Sequence, residues 1–432
     1  MSRFMAVRRT TCLTALLIGA LLLLGGCSRS RAGPSGAVDE TRGSDSGRGT
    51  GSAGEQTSEA ATTDSTAEAG TAAPAGDGGN HSITIRITTN TLEPEEVPPI
   101  PEGFELLYVT GKDVPGRLEV FLVDGEMLYW AQRAGLWRAP KDGSGEPKAF
   151  GYWDTTNQGS SLLADETYIY WQDGPHIKRK RKDTPHLSVS TPRYTYNFPW
   201  VDDHLDERYR AGIETIEYGG NYSPALFGKD ATHLYVAANA CTPVHKVQLE
   251  SLEVETFELD RPEYGGGNSA MTLDETHIYC GNNNYLFRFR KDGSEFEVLY
   301  EEFQLVRSMV TGDDQVFVMD RANGGRPAEV FGFGPDGALI RYGTSPELGS
   351  ASSYGSPLQV DSRRERLYWG FNWIMALDLR NGEFVPWRQA GFSFAFTADE
   401  DHLYWGGELD PSPGGHVVTI LRLQKDRLAL PE

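Results

Sequence analysis

The sequence predicts an all-β fold: a seven-bladed β-propeller of four-stranded blades, preceded by a disordered tether. Three observations carry this expectation. A short apolar strand, a turn containing Asp and a second strand with an aromatic anchor recur seven times. A third strand closing on a charged turn follows in each unit, with KDG or RNG at several of them. Glycine is abundant, at 49 residues, and the chain shows no convincing helix.

The recurring unit begins with VFLVDGEMLYWA at Val120, SLLADETYIYWQ at Ser161 and ALFGKDATHLYVA at Ala225. It continues with AMTLDETHIYCG at Ala270, SMVTGDDQVFVMD at Ser308, LQVDSRRERLYWG at Leu358 and FAFTADEDHLYWG at Phe394. The anchors are Tyr129, Tyr170, Tyr235, Tyr279, Phe317, Tyr368 and Tyr404, at a mean interval of about 46 residues, close to the roughly 40–50 of a propeller blade. GLWRAPKDGS at Gly135, HIKRKRKDT at His176, YLFRFRKDGS at Tyr285 and MALDLRNGE at Met375 supply third strands and hairpin turns in which Gly takes positive φ. Tyr and Trp are neighbours on several second strands, so they point to opposite faces and each ring meets a different adjacent blade. The last unit lacks an outer strand, and ELLYVTG at Glu105 is a spare strand before the first unit. It is expected to complete the last blade and close the ring.

The matching segments LYWA, IYWQD, LYWG and LYWG, at Tyr129, Tyr170, Tyr368 and Tyr404, resemble the YWTD-type propellers of lipoprotein-receptor ectodomains and the related bacterial YWTD-like and NHL-like repeat proteins. The resemblance spans roughly residues 104–432. It departs at the Thr-Asp half of the motif, which only IYWQD approaches. It implies a binding or scaffolding propeller and brings no catalytic residues with it.

Three regions are expected: a signal peptide over residues 1–26, a low-complexity tether over 27–92 and the propeller over 93–432. Arg3, Arg8 and Arg9 precede an apolar run that ends in LGGC at Cys27. This run resembles the signal and lipobox of bacterial lipoproteins, which implies cleavage before Cys27 and acylation of that residue. The membrane would then be a partner through the lipid anchor, since acyl chains contribute about 0.8 kcal/mol per buried methylene. Ser28 follows where an Asp would favour retention at the inner membrane, so the outer membrane is expected. Residues 28–80 hold no aromatic and no large aliphatic side chain apart from Val38, and cannot offset the entropy of ordering. The formal charge is −21, and loss of the three arginines gives −24. Nucleic acid is therefore excluded as a partner. Export also permits disulfides. With Cys12 removed and Cys27 acylated, Cys241 and Cys280 remain, either bonded to each other or as two buried thiols.

Recurrent polar residues read as scaffold. Asp124, Asp165, Asp230, Asp274 and Asp399 each stand five residues before an anchor and suit Asx turns. His233, His277 and His402 share one register on different blades and so cannot meet at one metal. KRKRK at 178–182 aligns with third strands and reads as a solvated strand of an acidic protein. Function is expected where the units differ. Residues 194–224 are an aromatic and charged insertion, with DDHLDE at 202–207 as an acidic stretch inside it. EYGGNYSP at Glu217, EYGGGNSA at Glu263, TTNQGSS at Thr155 and SSYGSP at Ser352 precede first strands, where propeller connections line one mouth of the channel. Asn157, Tyr218, Asn221, Tyr264, Asn268 and Tyr354 are the candidate partner-binding residues there, because Tyr and Asn suit stacking and adaptable hydrogen bonding. No G-x-S-x-G, H-E-x-x-H or P-loop occurs, and no catalytic residue, cofactor or metal is assigned. The expected function is a membrane-anchored extracytoplasmic binding or scaffold lipoprotein with a monomeric domain and a protein or glycan ligand. A propeller lyase or hydrolase acting on polysaccharide or a small extracellular compound is the alternative.

Overall fold

The computed structural model describes residues 87–88 and 100–428, except 102, 111–117, 133–134, 154–160, 174–175, 186–210, 220–225, 238–240, 260–269, 283, 304, 313, 321–328, 345–356, 371–372, 390–391 and 409–417. All of these fall in the second of two units, Gly78–Glu432. Cys27 and the expected signal peptide lie outside the described residues.

Seven antiparallel sheets follow one another along the chain as the blades of a propeller. Blade 1 comprises Leu118–Asp124, Met127–Gln132, Gly135–Pro140 and Lys148–Tyr152, and blade 2 Leu162–Ala164, Tyr168–Asp173, His176–Arg181 and Ile213–Ile216. Blade 3 is Leu226–Lys229, His233–Ala237, Val244–Gln248 and Val254–Phe257; blade 4 is Ala270–Leu273, His277–Gly281, Leu286–Arg290 and Glu297–Tyr300. Blade 5 is Val306–Gly312, Gln315–Asp320, Glu329–Phe333 and Leu339–Thr344; blade 6 is Gln359–Asp361, Arg366–Gly370, Trp373–Asp378 and Phe384–Gln389. Blade 7 takes three strands from the C-terminal end, Phe392–Ala398, His402–Glu408 and Val418–Gln424. Its fourth is Glu105–Thr110, paired antiparallel with the third from Glu105↔Arg422 to Thr110↔Val418. The spare N-terminal strand thus closes the ring, as the sequence requires. Ile87–Thr88, inside the stretch assigned to the tether, adds to this blade in parallel (Ile87↔Val109).

The second strands are buried along their length because a blade packs on both faces. Seven apolar clusters fill the seven inter-blade spaces. Tyr129 and Phe150 of blade 1 meet Trp171 of blade 2. Tyr170 meets Leu234 and Val247 of blade 3, and Tyr235 meets Phe287 and Phe289 of blade 4. Tyr279 meets Val318 and Phe331 of blade 5, and Phe317 meets Trp369 of blade 6. Tyr368 meets Trp405 of blade 7, and Tyr404 meets Trp130 of blade 1. Each anchor faces the next blade while the Trp beside it faces the preceding one. Trp130, Trp171 and Trp405 are fully buried. A ring of this kind removes roughly 150–250 Å² from water, about 4–6 kcal/mol of transfer free energy at ~25 cal/mol per Å². The KDG turns use Gly as expected: Gly143 and Gly293 lie at φ +75° and +83°.

Candidate functional site

In an antiparallel blade the turns joining strands one to two and three to four share one face. The links from two to three, and from blade to blade, share the other. The first face is built by a repeated latch. Asp165, Asp230, Asp274 and Asp399 each accept backbone N–H bonds at Oδ1 from residues two and three positions on, at 2.7–3.0 Å. Oδ2 of each accepts the hydroxyl of the Tyr five residues on, at 3.0 Å for Tyr235, 2.7 Å for Tyr279 and 2.8 Å for Tyr404. Tyr170 donates to Asp165 in the same way. A spacing of five places the acid at the turn and the ring on the following strand, so one carboxylate closes the turn and anchors the core tyrosine. Burial would raise these carboxyls, but the hydroxyl and backbone donors, with the Lys291 ammonium foremost at Asp230, outweigh it and hold each below the usual range. Burial first, and the Asp274 carboxylate second, push Tyr279 up to about 12. Asp124 departs from the pattern: it pairs with Met127 across a tight hairpin, and its carboxylate goes to Lys182.

Lysines at the ends of third strands reach back to the acid of the preceding blade. Lys141 meets Asp399 at 3.2 Å, Lys291 meets Asp230 at 2.9 Å, Lys425 meets Asp361 at 2.7 Å, and Lys182 meets Asp124. Arginines on third strands reach forward to the turn of the next blade. Arg138 donates to the carbonyls of Lys182 and Thr184, Arg179 to Leu249, Arg288 to Pro335 and Arg422 to Lys141. This corrects the reading of 178–182 as a solvated strand. Lys178 donates to Thr215, Arg179 also pairs with Glu214, Arg181 pairs with Asp183, and Lys180 is 1% exposed. His233 and His277 each lie against the hydroxyl of the preceding Thr. They and His402 each tilt over the Tyr two residues on. Among the described residues no group of three or more His, Cys, Asp and Glu side chains is placed to hold a metal ion.

The partner-binding positions are expected on the opposite face. Asn157, Asn221, Tyr264, Asn268 and Tyr354 lie outside the described residues, as does DDHLDE. Tyr218 does not stand on a rim. It is 3% exposed and packs with Tyr170, Ile216 and Val247, its ring 5.2 Å from that of His245. The reason is local: within the insertion, Ile213–Ile216 forms the fourth strand of blade 2, in register from Ile213↔Lys180 to Ile216↔Ile177. Tyr218 follows so closely that its ring turns into the blade 2–3 space.

The described frame beneath that face is stiff. Cys241, in the link between strands two and three of blade 3, is bonded to Cys280 on the second strand of blade 4. Of the two alternatives for these cysteines, the structure has the bonded one. Thr242, beside Cys241, donates to Glu258 at 3.2 Å and accepts the Leu259 N–H. Asn282 Oδ1 accepts the N–H groups of Asn284 and Tyr285, and Asp320 Oδ1 accepts that of Leu305 at 2.7 Å. His245 shares a 2.9 Å hydrogen bond with the Thr256 hydroxyl, and burial pushes its pKa down. The bond was one of the two alternatives open in the sequence, whereas the hydrogen bonds of Thr242, Asn282 and Asp320 around it were not read there.

No family model matches the chain, and no curated protein matches it significantly. Solved structures resemble it in fold. The extracellular domain of a protein described as a hybrid two-component system from B. thetaiotaomicron aligns at 16% identity with a TM-score of 0.50, over 74% of this chain and 39% of that one. The extracellular domain described as part of a one-component system from the same organism aligns at 14% identity and TM-score 0.48, over 74% of this chain and 40% of that one. The Neurospora crassa Pan2 WD40 domain aligns at 10% identity and TM-score 0.50, over 75% of this chain and 97% of that one. The chain thus spans about 40% of the length of the two bacterial proteins. At these identities the likeness is one of fold: a seven-bladed propeller.

Proposed function

We propose that the protein is an extracytoplasmic lipoprotein, anchored through Cys27, whose propeller binds a protein or glycan partner on the face carrying the blade-to-blade connections. The observation that supports this is the use of the recurrent polar residues. On the turn face the Asp, Tyr and Lys of successive units are spent on one another and the Arg on backbone carbonyls of the next blade, at 2.7–3.2 Å. Chemistry that differs from blade to blade is left to the connections on the other face. The expected rim comprises Asn157, Asn221, Tyr264, Asn268 and Tyr354, with Tyr218 removed from it. The YWTD-like pattern and the fold shared with bacterial extracellular domains fit a binding role outside the cytoplasm.

Two experiments test the two halves. Metabolic labelling with an acyl-chain analogue should mark the wild-type protein and not Cys27→Ala, and Cys27→Ala should leave the membrane fraction; label on Cys27→Ala rejects the anchor. Capture of envelope components by the propeller should fall at least tenfold in the double variant Tyr264→Ala, Asn268→Ala with unchanged melting. Capture equal to wild type rejects the rim.

A further inference from the structure

Among the described residues two lysines are buried, and they are treated differently. Lys425 is 2% exposed, lies 5.3 Å from the centre of the Tyr368 ring, and has the Asp361 carboxylate at 2.7 Å. Lys180 is 1% exposed and lies 5.5 Å from the centre of the Phe150 ring. No carboxylate pairs with Lys180 among the described residues. The charged group that acts on it is a second cation, Arg138, 6% exposed, whose guanidinium carbon sits 4.8 Å from the same ring centre. The other neighbours are Gly212, where a Cβ would meet the lysine Cε at 3.8 Å, and the Thr184 side chain beside it. A buried charge without a counter-charge is costly. Burial, then the Arg138 charge, bring the Lys180 amine down to about 8, so roughly a tenth is the free amine at pH 7 and about half at pH 8.

We propose that Lys180 is a carbamylation site, taking up dissolved carbon dioxide on Nζ to form a carboxylate that pairs with Arg138. The Nζ lone pair attacks the carbon of CO₂ and the N–C bond forms. The π pair of one C=O bond moves onto oxygen. One N–H proton leaves to water or bicarbonate, giving –NH–COO⁻. No redox partner is needed. The product converts two like charges into an opposite pair, and so supplies at the blade 1–2 space the anion that Asp361 supplies at the blade 6–7 space. Carbon dioxide is small and apolar enough to reach a side chain closed to charged reagents.

The full-length protein equilibrated with ¹³C-bicarbonate at pH 8 should show one carbamate carbon resonance that disappears on acidification to pH 5 and returns at pH 8. Lys180→Arg keeps a cation but has no free amine, and should lack the resonance. Trapping the wild-type protein with diazomethane, a small neutral methylating reagent, followed by peptide mapping, should place the ester on Lys180; this assignment does not depend on the variant folding. Absence of a carbamate resonance in the wild type, its persistence in Lys180→Arg, or a trapped ester on other amines alone would each overturn the proposal.

Discussion

Lys425 Nζ and Asp361 Oδ2 meet at 2.7 Å with their side chains 3% and 5% exposed, and this pair carries the end of blade 7 onto blade 6. Arg364 also reaches Asp361, at 3.1 Å, and continues to Asp426 at 2.9 Å. Removing one partner of a buried pair strands the other charge. Lys425→Met or Asp361→Asn is expected to lower stability by about 3–5 kcal/mol. The double replacement Lys425→Met, Asp361→Leu should cost less than the sum of the singles. Denaturant melts of the three variants check this.

The Asp–Tyr latch makes stability acid-sensitive. The folded pKa of Asp165, Asp230, Asp274 and Asp399 is depressed, so the unfolded chain binds protons first as the pH falls. Their contribution is present above the unfolded carboxyl value of about 3.9 and is lost as pH falls through the folded values. Melting temperature should fall steeply below about pH 4 in the wild type. It should fall less steeply in the fourfold Asp→Asn variant, which starts lower. Equal slopes in the two proteins would contradict the latch.

Single latches are graded. Tyr279→Phe removes one hydroxyl donor to Asp274 and should cost about 1–2 kcal/mol. Asp274→Ala also removes the acceptor for the Thr276 and His277 N–H groups, and should cost about 2–4 kcal/mol. The order of the two, read from urea midpoints, is the test.

The Cys241–Cys280 bond closes a loop of 39 residues between blades 3 and 4. Loop-closure entropy for that length gives about 4 kcal/mol. The double Ser variant, melted beside the wild type with and without reductant, should melt lower, and reductant should shift only the wild type. Intact-mass analysis after alkylation without reductant should find no free thiol at either position.

Glu105–Thr110 is the fourth strand of blade 7, and its Tyr108 ring stacks 6.2 Å from Trp130 of blade 1. Deleting residues 104–112 opens the ring at one seam. The single cooperative transition of the wild type should be lost, and near-ultraviolet circular dichroism should show loss of tryptophan packing throughout the domain. Unchanged melting would contradict closure by this strand.

Much of this was legible in the sequence because it is local and repeated. The five-residue step from Asp to Tyr, the KDG turns and the spare strand at Glu105 are all visible without coordinates. What was not legible crosses between blades. The backward reach of Lys141, Lys182, Lys291 and Lys425 and the forward reach of Arg138, Arg179, Arg288 and Arg422 join residues on neighbouring units. In a linear reading Arg179 and Lys182 belonged to a solvated basic strand. Ile213–Ile216 was hidden for another reason. Four residues with Glu214 and Thr215 between isoleucines give a weak alternation, and the long insertion before them masked the blade's fourth strand. That error also put Tyr218 on a rim when it belongs to the core.

The central claim is that the face of the blade-to-blade connections binds and the turn face does not. A photo-crosslinking residue placed in intact cells at Tyr264, in the connection between blades 3 and 4, or at Glu275, an exposed residue of the turn face, tests it most directly. The account predicts a discrete higher-mass adduct from position 264 and none from 275. An adduct from 275 alone, or identical adducts from both, would contradict it.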